Sequence, residues 1–245
     1  MTAPLLMWAC CSFAHTEWRR CSLKATLESF IRRDHTTISW SGGTTTELAI
    51  YPATAKYKQG NYLWRLSTAT MEADTSVFSA LPGVARTLML LDGQISLRHK
   101  GHHESRLQPF DQDCFDGGWT THCQGRGRDF NLMCADGVEG ELAALPIARH
   151  DARPESFGAS GASSPTWVAL YCVDGDLTLG CEGEYAPLRR GDNLVADIAL
   201  LPSARQFMIE NPSDQTGVII RCTIRTQPPR RENLDCSRRT PSFRP

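Results

Sequence analysis

From Glu47 onward the chain alternates short apolar runs with turn residues, and within the runs polar and apolar positions alternate with the two-residue period of β-strands. Strands are expected at Glu47–Tyr51, Tyr62–Met71, Thr87–Leu91, Gln94–His99, Glu104–Leu107 and Asp129–Cys134. A second series follows at Trp167–Val173, Asp176–Leu179, Asn193–Asp197, Arg205–Ile209 and Val218–Thr226. Asp92-Gly93 and Asp174-Gly175 each separate two apolar runs, the signature of a hairpin whose turn needs a glycine at positive φ. The segments around them correspond, Leu88–Leu97 with Leu170–Leu179. The implied internal repeat of roughly eighty residues suits a small barrel used twice. Helical spacing occurs only over Cys21–Arg33, through Leu23, Leu27, Phe30 and Ile31.

These patterns divide the chain into an N-terminal extension (1–29), a first barrel (30–148), a linker or crossover (149–165), a second barrel-like unit (166–226) and a tail (227–245). The linker is rich in Gly, Ala, Ser and Pro, and the Pro/Arg-rich tail has the composition of disordered chain. The expected class is all-β.

Composition then removes several function classes. With 26 basic and 27 acidic residues the net charge is -1, which offers neither nucleic acid nor an anionic membrane an electrostatic footprint. The ten cysteines contain no Cys-x-x-Cys pair, arguing against a zinc ribbon or a dithiol redox motif. Cys134, Cys172 and Cys222 fall inside apolar runs, where a reduced thiol acts as a small hydrophobe. The apolar start Pro4–Cys11 has no basic residue before it, unlike a secretory signal, and no run nears the ~20 residues needed to span a bilayer. A soluble, cytoplasmic protein is expected.

One constellation carries candidate chemistry. In Leu63–Ala69, Arg65, Ser67 and Ala69 share one strand face, and a mid-strand arginine must reach solvent, an ion partner or a polar lumen. Arg86 opens a strand after Pro82-Gly83 and can point to the same mouth. Two inward guanidiniums would favour a carboxylate, which they grip bidentately. The plainer alternative is that either arginine pairs with Asp129, whose same-face neighbour is Asn131. Trp64 reads as core, and Trp40 as core or as a pocket wall. Among the histidines, His102 and His103 are adjacent and beside Gly101, so they read as a solvated turn; His99 with Glu104 is a possible pair. No bound metal or other cofactor is expected.

A run of specific residues resembles the HutD/Ves family of double-cupin proteins. It comprises Trp40-Ser41-Gly42-Gly43-Thr44-Thr45-Thr46-Glu47, Tyr51-Pro52, Trp64-Arg65-Leu66-Ser67 and Phe78–Thr87. It continues with Leu90-Leu91-Asp92-Gly93, Pro109-Phe110, Phe115-Asp116-Gly117 and Asp129–Met133. Ser41 stands where the family usually has Asn, and the second half matches only in general pattern. The resemblance implies a bicupin with a pocket in the first barrel for a small carboxylate, such as an N-formylated amino acid from histidine degradation. It also implies a regulatory or protective role without catalysis, linked to histidine utilisation or stress. The ligand-binding residues on this reading are Trp40, Arg65, Ser67, Ser79, Arg86, Asp129 and Asn131. Two other readings stand beside it: a metal-independent isomerase or hydrolase using Asp129, and a structural or interaction protein. A homodimer is possible.

Overall fold

The computed structural model describes residues 31–157, 166–197 and 205–226. Seventeen strands follow in chain order. The first ten are β1 (Ile31–Arg32), β2 (Thr36–Trp40), β3 (Gly43–Tyr51), β4 (Trp64–Met71), β5 (Thr75–Val77), β6 (Val84–His99), β7 (Glu104–Leu107), β8 (Gln112–Asp116), β9 (Thr121–Ala135) and β10 (Val138–Ile147). The rest are β11 (Ala152–Phe157), β12 (Thr166–Asp174), β13 (Asp176–Cys181), β14 (Glu184–Arg189), β15 (Asn193–Asp197), β16 (Arg205–Glu210) and β17 (Gly217–Thr226). A single 3-10 turn at Tyr57–Gln59 is the only helical element among the described residues. No helix there is long and apolar enough to cross a membrane.

The strands form three sheets. Eight strands of the first half make one, in the order β2-β3-β4-β9-β6-β7, with β5 on β9 and β8 on β6. The second half is a sandwich of β1-β15-β12-β17-β10 against β11-β16-β13-β14. The fold is therefore all-β and cupin-like; the two small barrels or jelly rolls expected from the sequence are met only in part, since among the described residues none of the three sheets closes on itself. The sandwich is held instead by a dry interior that includes Leu170, Leu179, Leu188, Ile209 and Ile219. Burying such side chains stabilises by about 1.5–3 kcal/mol apiece.

Both expected hairpins change. Asp92-Gly93 is no hairpin: β6 passes straight through it, paired with β9 from Val84↔Ala135 to His99↔Thr121, with a bulge between Leu90 and Asp92. Asp174-Gly175 turns the chain from β12 in one sheet to β13 in the other, again beside a bulge. In both corners the Asp Oδ1 accepts its own glycine's N–H, at 2.8 and 3.1 Å. A bulged corner needs the same positive φ at glycine as a hairpin turn (86° and 100°), which is why one signal fits both.

The end of the expected helix, Ile31–Arg32, is extended and pairs with Leu194 and Asn193; the rest of it lies outside the described residues. Val138–Ile147, placed by sequence in the first barrel, instead pairs along its length with β17. Part of the expected linker is strand β11, paired with β16; 158–165, like 1–29 and 227–245, lies outside the described residues.

The first-half sheet has two different faces. Trp64, Leu66, Phe130, Leu132 and Cys134 pack onto Trp167, Ala169, Tyr171, Ile220 and Cys222 of the sandwich, so Trp64 is core, as expected. Cys134, Cys172 and Cys222 are buried free thiols, and burial raises their pKa values, to about 12 for Cys134 and Cys172. The opposite, inner face carries the polar groups described next.

Candidate anion-binding site

Register builds the site. Arg65 on β4, Met133 on β9 and Arg86 on β6 lie in one row across three strands; Ser67, Asn131 and Leu88 form the next row, and Ala69, Asp129 and Leu90 the third. Cross-strand partners share a face, so Arg65, Ser67, Arg86, Asp129 and Asn131 all line the inner face. Each is buried. Alternation along β4 thus placed Arg65 and Ser67 correctly relative to one another.

The two arginines differ in state. Arg65 is engaged: its Nε donates to Glu47 Oε2 at 2.7 Å, and its Nη1 donates to Ser67 Oγ at 3.0 Å. Its guanidinium also lies 4.3 Å from the ring centre of Tyr57. Arg86 has neither ion pair nor partner for its buried Nε among the described residues. Its guanidinium sits between Phe78 and Phe115, 5.0 and 4.9 Å from their ring centres. Burial lowers its pKa, while the nearby Asp129 pulls the other way; a guanidinium remains charged regardless. Asn131 Oδ1 is a second buried polar atom with no partner among the described residues.

Asp129 is not the salt-bridge partner that the plainer reading offered. It accepts the Ala69 N–H at 3.0 Å, and burial pushes its pKa up to about 7 against the opposing pull of Arg86 and Arg65. Burial thus favours the neutral form of Asp129, and no carboxylate forms an ion pair with Arg86 among the described residues. Tyr62, also in the field of both arginines, donates its hydroxyl to Met133 Sδ at 3.8 Å, and burial raises its pKa.

The remaining sequence candidates lie elsewhere. Ser79 is exposed in the β5–β6 loop, and its neighbour Phe78 is the residue that reaches Arg86. Trp40 ends β2 in the row of Gly43, Met71 and Gly127, three same-face rows from the arginines, and packs with Met71 over Gly42. Conversely, Glu47, Tyr57, Tyr62, Phe78 and Phe115 belong to the cluster and were not singled out by sequence. Glu47 had a signal, since it lies opposite Ser67 once strands β3 and β4 are paired.

A second polar cluster lies beyond Phe115. Asp113 Oδ2 and Oδ1 lie 2.9 Å from His99 Nε2 and from His103 Nε2, respectively. His99 is fully buried and does not pair with Glu104, which is in register with Arg98. Burial alone would raise the Asp113 pKa, but hydrogen bonds with His99, His103 and Ser105 outweigh it and hold it below the usual value.

The HutD family profile matches residues 32–211. A conserved protein of unknown function from Pseudomonas aeruginosa PAO1 superposes with a TM-score of 0.65 at 22% identity, covering 79% of this chain and 97% of that one. HutD from Pseudomonas fluorescens SBW25, solved in a formate condition, gives 0.57 at 20% identity, covering 78% and 96%. The oxalate decarboxylase–formate complex from Lactobacillus farciminis gives 0.56 at 11% identity, covering 80% and 84%. At these identities the likeness speaks to the fold. No curated protein matches the chain in sequence.

Proposed function

The chain belongs to the HutD family, and from that premise we propose that it is a non-catalytic binding protein for a small carboxylate, held on the inner face of the first half, with a regulatory or protective role. The observation that carries this reading is Arg86: a buried guanidinium with an unpartnered Nε and no ion pair among the described residues. An uncompensated buried charge costs several kcal/mol, so a carboxylate arriving there gains a charge-assisted contact and relieves that cost. Phe78 and Phe115 flank the guanidinium, so a ligand meets it at its edge. Asn131, with its free Oδ1, sits two residues along the neighbouring strand and offers an acceptor to an N–H or O–H of the same ligand. An N–H beside a carboxylate describes an N-formyl amino acid. The expected pair of clamping arginines reduces to one, since Arg65 already holds Glu47 and supplies the site's wall and charge.

Formate, the condition in which one fold neighbour was solved and the ligand in the complex of another, is the natural first probe, followed by N-formyl amino acids and their amides. At a ligand concentration about a hundred times Kd, stabilisation is about 2.7 kcal/mol, a rise of roughly 5–10 °C in Tm for a chain of this size. Wild type and Arg65→Ala should both respond to the carboxylate and not to the amide, and Arg86→Gln should not respond. Equal stabilisation of Arg86→Gln removes the assignment.

A second reading has its own observation. A buried carboxyl with a pKa of about 7 matches a general base at neutral pH, so Asp129 would suit a metal-independent isomerase or hydrolase acting on the same carboxylate. Turnover that disappears in Asp129→Asn while binding persists selects this reading over simple binding.

A further inference from the structure

His99, His103 and Asp113 are the one group of three metal-capable side chains drawn together among the described residues, with donor atoms within 4.8 Å of one another. They come from three places: the end of β6, the turn that follows it, and β8. The turn is shaped for this, because His103 O accepts the His99 N–H at 2.9 Å and brings the two imidazoles to 4.5 Å between ring centres. Nothing in the carboxylate reading uses the cluster; Phe115 stands between it and Arg86, 4.5 Å from the His99 ring.

The surroundings of His99 single it out. Thr121 Oγ1 lies 3.4 Å from the Trp119 carbonyl and 2.9 Å from His99 Nδ1, so the hydroxyl can give its hydrogen to Trp119 and accept Nδ1–H. In the metal-free protein the His99 Nε2–H donates to Asp113 Oδ2 at 2.9 Å; with the ring held through Nδ1, an ion takes the place of that Nε2 proton. An imidazole fixed through its far nitrogen, with a carboxylate and a second imidazole facing the near one, is the arrangement of a metal ligand and its orienting partner.

We propose that His99 Nε2, His103 Nε2 and the Asp113 carboxylate bind a divalent first-row transition ion such as Zn²⁺. Bonds of about 2.0–2.1 Å in a tetrahedral site need donors roughly 3.3 Å apart; the two 2.9 Å contacts are made to different Asp113 oxygens and the donors lie within 4.8 Å of one another, so shifts of no more than about 1.5 Å bring them to that spacing. His103 supplies the movement, being on a turn with its side chain 40% exposed, while His99 at 0% stays fixed. The same exposure gives the ion its entry and leaves the fourth position to water. Trp119, stacked on His102 at 3.7 Å and edge-on to His99 and His103, forms an apolar cover. Two nitrogens and one carboxylate oxygen suit Zn²⁺ and its first-row neighbours, not Ca²⁺ or Mg²⁺.

The test uses the full chain, stripped with a chelator and titrated with Zn²⁺ by calorimetry and with Co²⁺ by absorption. One ion per chain is expected in wild type and in His102→Ala, whose ring is outside the donor set. Binding at least tenfold weaker is expected in His103→Ala and Asp113→Asn. Since His103 is partly exposed, His103→Ala should melt within a few degrees of metal-free wild type; if it does not fold, the wild-type Co²⁺ spectrum decides alone. A thiolate-to-cobalt charge-transfer band would give the ion to cysteines and overturn the site, as would absence of saturable binding or undiminished affinity in His103→Ala.

Discussion

Asp129→Asn isolates the electrostatics on which the site rests. The folded pKa of Asp129 is raised from 3.8 to about 7, chiefly by burial. A carboxyl raised in the folded state keeps its proton longer there than in the unfolded chain. The stability it confers is complete below about pH 4 and is lost as pH rises toward 7, at about 1.4 kcal/mol per pH unit. Above that window the ionised, buried carboxylate costs the wild type about 4 kcal/mol relative to its acid form, from roughly three pH units at that slope. Asparagine never ionises, and its Oδ1 can keep the Ala69 N–H bond. Any constant offset between the side chains cancels when the pH dependence is compared. Urea unfolding of both proteins from about pH 4 to pH 8 should therefore show the variant gaining on wild type, by up to about 4 kcal/mol across the range. Parallel curves would mean that Asp129 stays ionised across this range, as a carboxylate held by Arg86 would, and the case for an uncompensated Arg86 would fall.

Other outcomes follow from the same contacts. Carboxylate affinity should fall as pH rises through about 7, because ionised Asp129 then competes for Arg86; Asp129→Asn should flatten that profile in calorimetric titrations. Arg65→Met strands the half-buried Glu47 carboxylate and should cost about 1–3 kcal/mol, with a Glu47→Gln/Arg65→Met cycle recovering part of the loss in urea unfolding. Gly93→Ala puts a Cβ 2.3 Å from the Arg126 carbonyl oxygen at φ +86, whereas Gly60→Ala at φ +64 meets nothing within 4 Å. Thermal melts should show about 1 kcal/mol for Gly60→Ala and clearly more for Gly93→Ala; equal effects would contradict the bulged corner.

The sequence made most strands legible because half-buried strands write their faces into alternate positions, and Arg65 with Ser67 shows it. Register is not written that way. Glu47 meets Arg65 only because β3 bulges between Glu47 and Ala49, turning Glu47 inward while Leu48 and Ala49 both stay in the core. The same limit hid Asp113, whose partners His99 and His103 come from a neighbouring strand end and a turn that read as solvated. The family resemblance points to Ser79, yet the loop turns Phe78 to the arginine and Ser79 to solvent. The Asp-Gly pairs report a local φ, and a local φ does not say whether the chain reverses or crosses between sheets.

The most direct measurement is a crystal structure of the wild-type protein grown with formate and, in parallel, with an N-formyl amino acid. A carboxylate within hydrogen-bond distance of Arg86 Nε, with Arg65 still on Glu47, is the predicted result. Density confined to the surface, with Arg86 turned onto Asp129, would contradict the account.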